Sequence, residues 1–185
     1  MRRAMKSAAE VKRRAKKIKL LLMDVDGTLT SGGVGLQAFP DGSVADMKIF
    51  NAHDGAGVHL ASIVGLRSGI ITGRNSPVVT QRAREMGVEF VFQGQARKMS
   101  AYEEILQRAG VKDEEVAYLG DDLPDLPLLG RAGLAVAVAD AAIEVKRTAH
   151  YVTRAKGGRG AAREVVELIL KAQGRWEESI PKALA

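Results

Sequence analysis

The sequence predicts an α/β fold in which helices cover both faces of a parallel sheet. Apolar runs of strand length recur at 18–23, 66–71, 88–92, 116–119 and 134–138. Helical patterns lie between or after them, at 53–63, 77–86, 98–108, 125–129 (a short turn) and 161–172. Strands that are apolar throughout and separated by helices suit a sheet buried on both sides, a three-layer Rossmann-like arrangement. Asp24, Thr72 and Asp121 each stand just after one of these runs. In an open parallel sheet the binding crevice lies at the carboxyl ends of the strands, so these three residues can meet.

The chain opens on a basic segment. Residues 1–17 hold eight Lys or Arg against Glu10, a net +7, which leaves −1 for the rest of a chain whose total is +6. The high charge therefore belongs to this extension and not to the body. A solvated, partly helical extension is the expectation, with nucleic acid or an acidic lipid surface as the alternative partner. No aromatic residue interrupts the segment, so it offers no base-stacking platform, and a nucleic-acid partner is not expected. Cysteine is absent, which removes disulfides and thiolate zinc sites. No apolar run has the length of a membrane span and no secretory leader is visible, so a cytoplasmic protein without membrane contact is expected.

The first strand delivers Asp24-Val25-Asp26-Gly27-Thr28. Two carboxylates placed together at a strand end repel each other and lose hydration, which is costly unless a cation or a proton-transfer task uses them. An ordinary Asp-Gly turn is the bland alternative. Period-two alternation places Asp24 and Asp26 on the same side of an extended chain.

Residues 30–50 break the alternation of strand and helix. Pro40-Asp41-Gly42 is flanked by Val34, Leu36, Phe39, Val44 and Met47, the pattern of an inserted β-hairpin. A disordered loop is the alternative, and it would leave those apolar residues exposed. The third and fourth features are Ile71-Thr72-Gly73-Arg74, a hydroxyl and backbone N–H at a strand end, and Lys98 at a helix start. Both can hold phosphate oxygens, the lysine as a point charge. Further on, Gly120-Asp121-Asp122-Leu123-Pro124-Asp125 ends another strand in carboxylates. Such a set suits a hard divalent cation such as Mg²⁺, or serves only to cap the following helix. Lys156 to Arg163 reads equally as a Gly-rich wall beside the site or as a loop before the last helix.

Taken in this order, the Asp-x-Asp-Gly-Thr strand end, Thr-Gly-Arg, Lys98 and Gly-Asp-Asp-x-x-Asp resemble the haloacid dehalogenase superfamily of phosphatases. The resemblance implies that Asp24 is a nucleophile forming an aspartyl-phosphate and Asp26 an acid and base. It implies that Thr72 and Lys98 hold the phosphoryl group, and that Asp24, the Asp26 carbonyl and Asp121 hold Mg²⁺. An ionised carboxylate can accept a phosphoryl group once a cation screens it.

A closer similarity is to the capless branch acting on 3-deoxy-D-manno-octulosonate 8-phosphate, a lipopolysaccharide precursor. It is carried by Phe50-Asn51-Ala52-His53-Asp54-Gly55-Ala56-Gly57, Val136-Ala137-Val138-Ala139-Asp140-Ala141, Tyr151-Val152-Thr153-Arg154 and Lys156-Gly157-Gly158-Arg159-Gly160. It covers 18–175, which is expected to form one domain between the basic extension and a tail at 176–185. Asp26, Asn51, His53, Asp54, Gly55, His59, Arg74, Arg82 and Lys98 are the implied substrate contacts, with His53 standing where that branch commonly has arginine. The branch also implies a homotetramer built by the hairpins, in which a neighbouring copy covers the capless site and the C-terminal tail can reach an adjacent one. The alternatives are a phosphatase of a nine-carbon sugar-acid phosphate and a non-catalytic domain that keeps the fold.

Overall fold

The computed structural model describes residues 7–182. The first helix, α1, runs Ala8–Ala15; Arg2, Arg3 and Lys6 of the basic extension lie outside the described residues. The body follows as β1 (Leu20–Met23), β2 (Gly35–Ala38), β3 (Val44–Met47), α2 (Ala52–Ile63), β4 (Arg67–Ile71), α3 (Pro77–Glu85) and β5 (Phe90–Phe92). It continues through α4 (Met99–Ala109), β6 (Val116–Gly120), α5 (Leu126–Arg131), β7 (Leu134–Ala137), α6 (Ile143–Thr148) and β8 (Tyr151–Val152). Two helices close the chain, α7 (Ala161–Ala172) and α8 (Trp176–Lys182).

Six strands form one parallel sheet in the order β5-β4-β1-β6-β7-β8. The five expected strands are all present, most of them trimmed at their ends. The sixth, β8, has two residues and is too short to leave a periodic signal. Strand β1 is buried along its whole length, as are β6 and β7, which explains their unbroken apolar sequences. Burying a Leu side chain contributes about 1.5–3 kcal/mol, so Leu20, Leu21 and Leu22 anchor the sheet centre. Helices α1, α2, α7 and α8 pack among themselves, as do α4, α5 and α6. On α7 the stripe of Val165, Val166, Ile169 and Leu170 is wholly buried, as its spacing predicts.

From β1 the chain moves to β4 on one side, and it later returns to β6 on the other. That reversal opens the crevice between the carboxyl ends of β1 and β6, where Asp24 and Asp121 stand.

Both chain ends dock on the body. The extension is not merely solvated: over α1 it packs on α7, with Val11 and Ala15 buried. Arg14 Nη1 donates to the Gly133 carbonyl at 2.6 Å, and Glu10 accepts from both Arg13 and Arg14, which absorbs part of the positive charge. At the other end α8 packs on α2 and α7, and the Trp176 ring lies 5.1 Å from both the Arg163 guanidinium and the Lys171 ammonium. Residues 183–185 of the tail lie outside the described residues.

The hairpin forms as expected. Strands β2 and β3 pair antiparallel, and Asp41 Oδ1 accepts from the Ser43 backbone and hydroxyl across the turn. Val34, Leu36, Val44, Met47 and Ile49 remain more than half exposed. No helix among the described residues is long and apolar enough to cross a membrane.

Candidate active site

The site is built on the turn that ends β1. Asp24 continues the strand ladder by donating its N–H to the Leu119 carbonyl at 3.0 Å. The chain then leaves the extended form: the N–H groups of Thr28, Leu29 and Thr30 all converge on the Val25 carbonyl. Asp24 and Asp26 therefore share a cleft through a turn and not through the strand alternation that the sequence suggested. Gly27 makes this turn possible. Its φ is +93°, and a Cβ there would lie 2.0 Å from Asp121 Oδ2.

Lys98, at the start of α4, reaches under this turn. Its Nζ donates to Asp24 Oδ1 at 2.6 Å and to Asp125 Oδ1 at 2.7 Å, and the lysine is almost fully buried. Asp125 is saturated. The Tyr118 hydroxyl also donates to Oδ1 at 2.7 Å, and Oδ2 accepts from the backbone N–H groups of Asp121 and Asp122. Asp121 accepts from the Thr28 hydroxyl at 2.9 Å.

Burial pushes the Asp24 carboxyl up to about 6, with the neighbouring Asp125 charge adding to it and Lys98 opposing it. Burial and the Asp24 charge push Asp121 up to about 7. For Lys98, burial alone would lower its value, but the Asp24 and Asp125 carboxylates outweigh it and the ammonium is held charged. Carboxylate oxygens of Asp24, Asp121 and Asp125 approach within 4.8 Å of one another. That crowding is unfavourable alone and fits a hard divalent cation. Because Asp125 already spends both oxygens, Asp24 and Asp121 are the residues with capacity for it.

Around this floor lies a cleft of about 230 Å³ whose walls include Asp26, Thr72, Arg74 and Gln95. Thr72 is buried, with its N–H bonded to the Phe92 carbonyl at 2.9 Å. Asp26 Oδ1 is paired with the Lys48 ammonium, which comes from the residue after β3, and Arg74 Nε stands 3.9 Å from Asp26 Oδ2. A larger cavity, about 700 Å³, sits at the amino ends of the strands, between Ile18, Leu66, Arg67 and Val111. It holds none of the converging carboxylates.

The remaining expected contacts are not drawn into the cleft of their own chain. Asn51 caps α2, accepting from the N–H groups of His53 and Asp54. The structure gives Asp54 a different task from substrate contact. Its two oxygens accept from Gly160 N and Arg163 N, each at 2.9 Å, and so tie α2 to the start of α7. Gly55 leaves room for Arg82, since a Cβ there would meet Arg82 Nη2 at 1.8 Å. Arg82 bonds Glu85 at 3.0 Å and lies over the Phe50 ring. His53 is exposed in the first turn of α2, and His59 is exposed further along it, near Gly87.

The Gly-rich segment packs against the turn after β1 and does not line the cleft itself. Gly158 N donates to the Thr28 carbonyl at 2.9 Å, and a Cβ on Gly157 would lie 1.8 Å from the Gly27 carbonyl. Lys48 and Tyr118 have no role in the sequence reading, and Thr28 and Asp125 enter it only as members of their motifs. For Lys48 a signal existed, because it is the only basic residue between 31 and 52.

A model of the haloacid dehalogenase-like hydrolases matches residues 70–165. A 3-deoxy-D-manno-octulosonate 8-phosphate phosphatase of Escherichia coli is 41% identical over 172 residues, 93% of this chain and 89% of the relative. The crystal structure of such a phosphatase from Yersinia pestis superposes with a TM-score of 0.87 at 43% identity, covering 92% of this chain and 90% of that one. The enzyme from Moraxella catarrhalis, solved in complex with magnesium, phosphate and a KDO molecule, matches with a TM-score of 0.88 at 38% identity, over 95% and 99% of the two chains. With the Asp24–Lys98–Asp121 site in place on the same fold, this chain belongs to the haloacid dehalogenase-like hydrolases, in the family of the 3-deoxy-D-manno-octulosonate 8-phosphate phosphatases.

Proposed function

We propose that the chain is a Mg²⁺-dependent phosphatase that converts 3-deoxy-D-manno-octulosonate 8-phosphate to the free sugar acid and phosphate. The observation that carries this reading is Lys98 bridging Asp24 and Asp125 at the β1–β6 crevice, with Asp26 on the wall of the same cleft. Asp24 attacks phosphorus while the ester oxygen departs with a proton from Asp26. A water then attacks the aspartyl-phosphate, Asp26 takes its proton, and Asp24 is regenerated. Lys98 and Thr72 hold the phosphoryl oxygens, with the lysine supplying fixed positive charge in a poorly hydrated site. Asp24, Asp121 and the Asp26 carbonyl would hold Mg²⁺, which supplies charge screening between the carboxylate and the incoming dianion.

The exposed apolar residues of the hairpin support association between copies, which we read as a homotetramer in which copies cover one another's sites, and the sugar-acid phosphate substrate suits a cytoplasmic enzyme. In that assembly Asn51, His53, His59 and Arg82, which stand outside their own cleft, contribute to choosing the sugar. The test is kcat/KM with Mg²⁺ on eight-carbon and nine-carbon sugar-acid phosphates. Preference for the eight-carbon ester is expected. A reversed preference reassigns the substrate, and the absence of phosphate release from either one refutes the reading.

A further inference from the structure

Asp24 and Asp26 are each paired with a lysine, and only one of those lysines belongs to the scaffold. Asp24 is paired with Lys98, whose side chain is 5% exposed, and Asp26 with Lys48, whose side chain is 4% exposed. Lys98 starts a helix of the core. Lys48 is carried by the inserted hairpin, most of whose other residues face solvent. A lysine withdrawn from water this far needs a fixed acceptor, and Asp26 Oδ1 is the one it has. Asp26 lies in a turn, so no strand pairing restrains it. Its carboxylate is instead flanked by Lys48 on Oδ1 and by Arg74, 3.9 Å from Oδ2.

We infer that Lys48 is a positioning residue for Asp26: the hairpin aims the carboxyl group that exchanges protons with the leaving oxygen. This rests on the phosphatase reading above. In the first step the bond from Asp24 oxygen to phosphorus forms, the ester P–O bond breaks, and the departing oxygen takes the Asp26 proton. Asp26 Oδ1 can accept from Lys48 in both states, because a carboxyl group that carries a proton on one oxygen still accepts on the other. A proton donor must stand within hydrogen-bond reach of its target, so losing the grip on Oδ1 reduces the fraction of correctly aimed carboxyl groups.

Esters that differ in leaving group isolate this effect. A sugar alkoxide needs the proton to depart, whereas p-nitrophenolate leaves without one. In Lys48→Met, kcat/KM on 3-deoxy-D-manno-octulosonate 8-phosphate should fall about tenfold or more beyond any fall on p-nitrophenyl phosphate. Lys48→Arg should restore most of the difference, and both variants should elute as the unaltered protein does. Should the Met variant fail to fold, Lys48→Gln carries the same comparison. Equal losses on the two esters, or no loss on either, overturn the positioning role. If the unaltered protein cleaves neither ester, the phosphatase reading fails first and takes this inference with it.

Discussion

The cleft floor and the hairpin each hold one of the two aspartates that follow β1, Asp24 and Asp26, yet they are stabilised in opposite ways. On the floor, Asp24, Lys98, Asp125 and Tyr118 form a closed network in which the donors and acceptors come from one chain. Tyr118 lies on the buried strand β6 and Asp24 follows the buried strand β1, while Lys98 opens α4 and Asp125 stands just before α5. The hairpin has one antiparallel pairing, leaves Leu36, Met47 and Ile49 more than 60% exposed, and touches the chemistry through Lys48. An isolated two-stranded hairpin is marginal in water. The lesson is a division of labour. The nucleophile candidate Asp24 is fixed by buried elements of the centre, whereas the contact to Asp26 is carried by a hairpin whose apolar side chains stay exposed.

The largest effect is expected on the floor. Asp24→Asn should lower phosphate release by a factor on the order of 10⁴ or more, the scale seen when a nucleophile is removed. The variant should remain folded, because burial already penalises the Asp24 charge. Turnover near that of the unaltered protein would dismiss Asp24 as nucleophile and leave the floor no more special than the hairpin.

An intermediate effect should come from the hairpin. Ile49→Asp puts a charge on a residue that is 77% exposed in the single chain, so the monomer should lose no more than about 0.5 kcal/mol. If copies assemble through this surface, the variant should elute at a smaller mass and lose activity on the sugar-acid ester. An unchanged mass would show that the hairpin is not the subunit contact and would remove the basis of the contrast.

The smallest effect is a dependence on pH. Asp24 and Asp121 bind protons more tightly in the folded state than their ordinary value of 3.8 implies. The stability this contributes to the metal-free protein is complete below about pH 4 and is lost as pH rises through about 6 and 7. Mg²⁺ competes with those protons, so its addition should raise Tm by more at pH 8 than at pH 5.5. An equal shift at both pH values would mean that the metal does not sit between these carboxylates.

The five longer strands, the last long helix and the hairpin were legible from residue patterns, because burial on two faces, burial of one stripe and turn chemistry each leave a distinct periodicity. Strand β8 and helix α6 were not, being two and six residues long. Helix α1 falls in the stretch expected to be partly helical, but its docking on α7 was not legible, because its buried face is only Val11 and Ala15 amid charges. Of the site, Asp24, Asp26, Thr72, Lys98 and Asp121 were readable as groups at the ends of strands and the start of a helix. Asp54 was not: its backbone acceptor role at α7 depends on a partner more than 100 residues away.

The sequence by itself determined the chemistry, since carboxylates, a hydroxyl and a lysine at the ends of buried elements must converge once the sheet forms. Only the tertiary structure decided how the two aspartates are held. The turn needs glycine at 27, where φ is +93° and Asp121 fills the space that a side chain would take. Lys98 finds Asp24 across 74 residues, and Lys48 finds Asp26 from a hairpin that chain order gives no reason to fold back. Local pattern records which face of an element is dry, but charge pairing between distant segments is settled only when burial leaves each charge a few fixed partners.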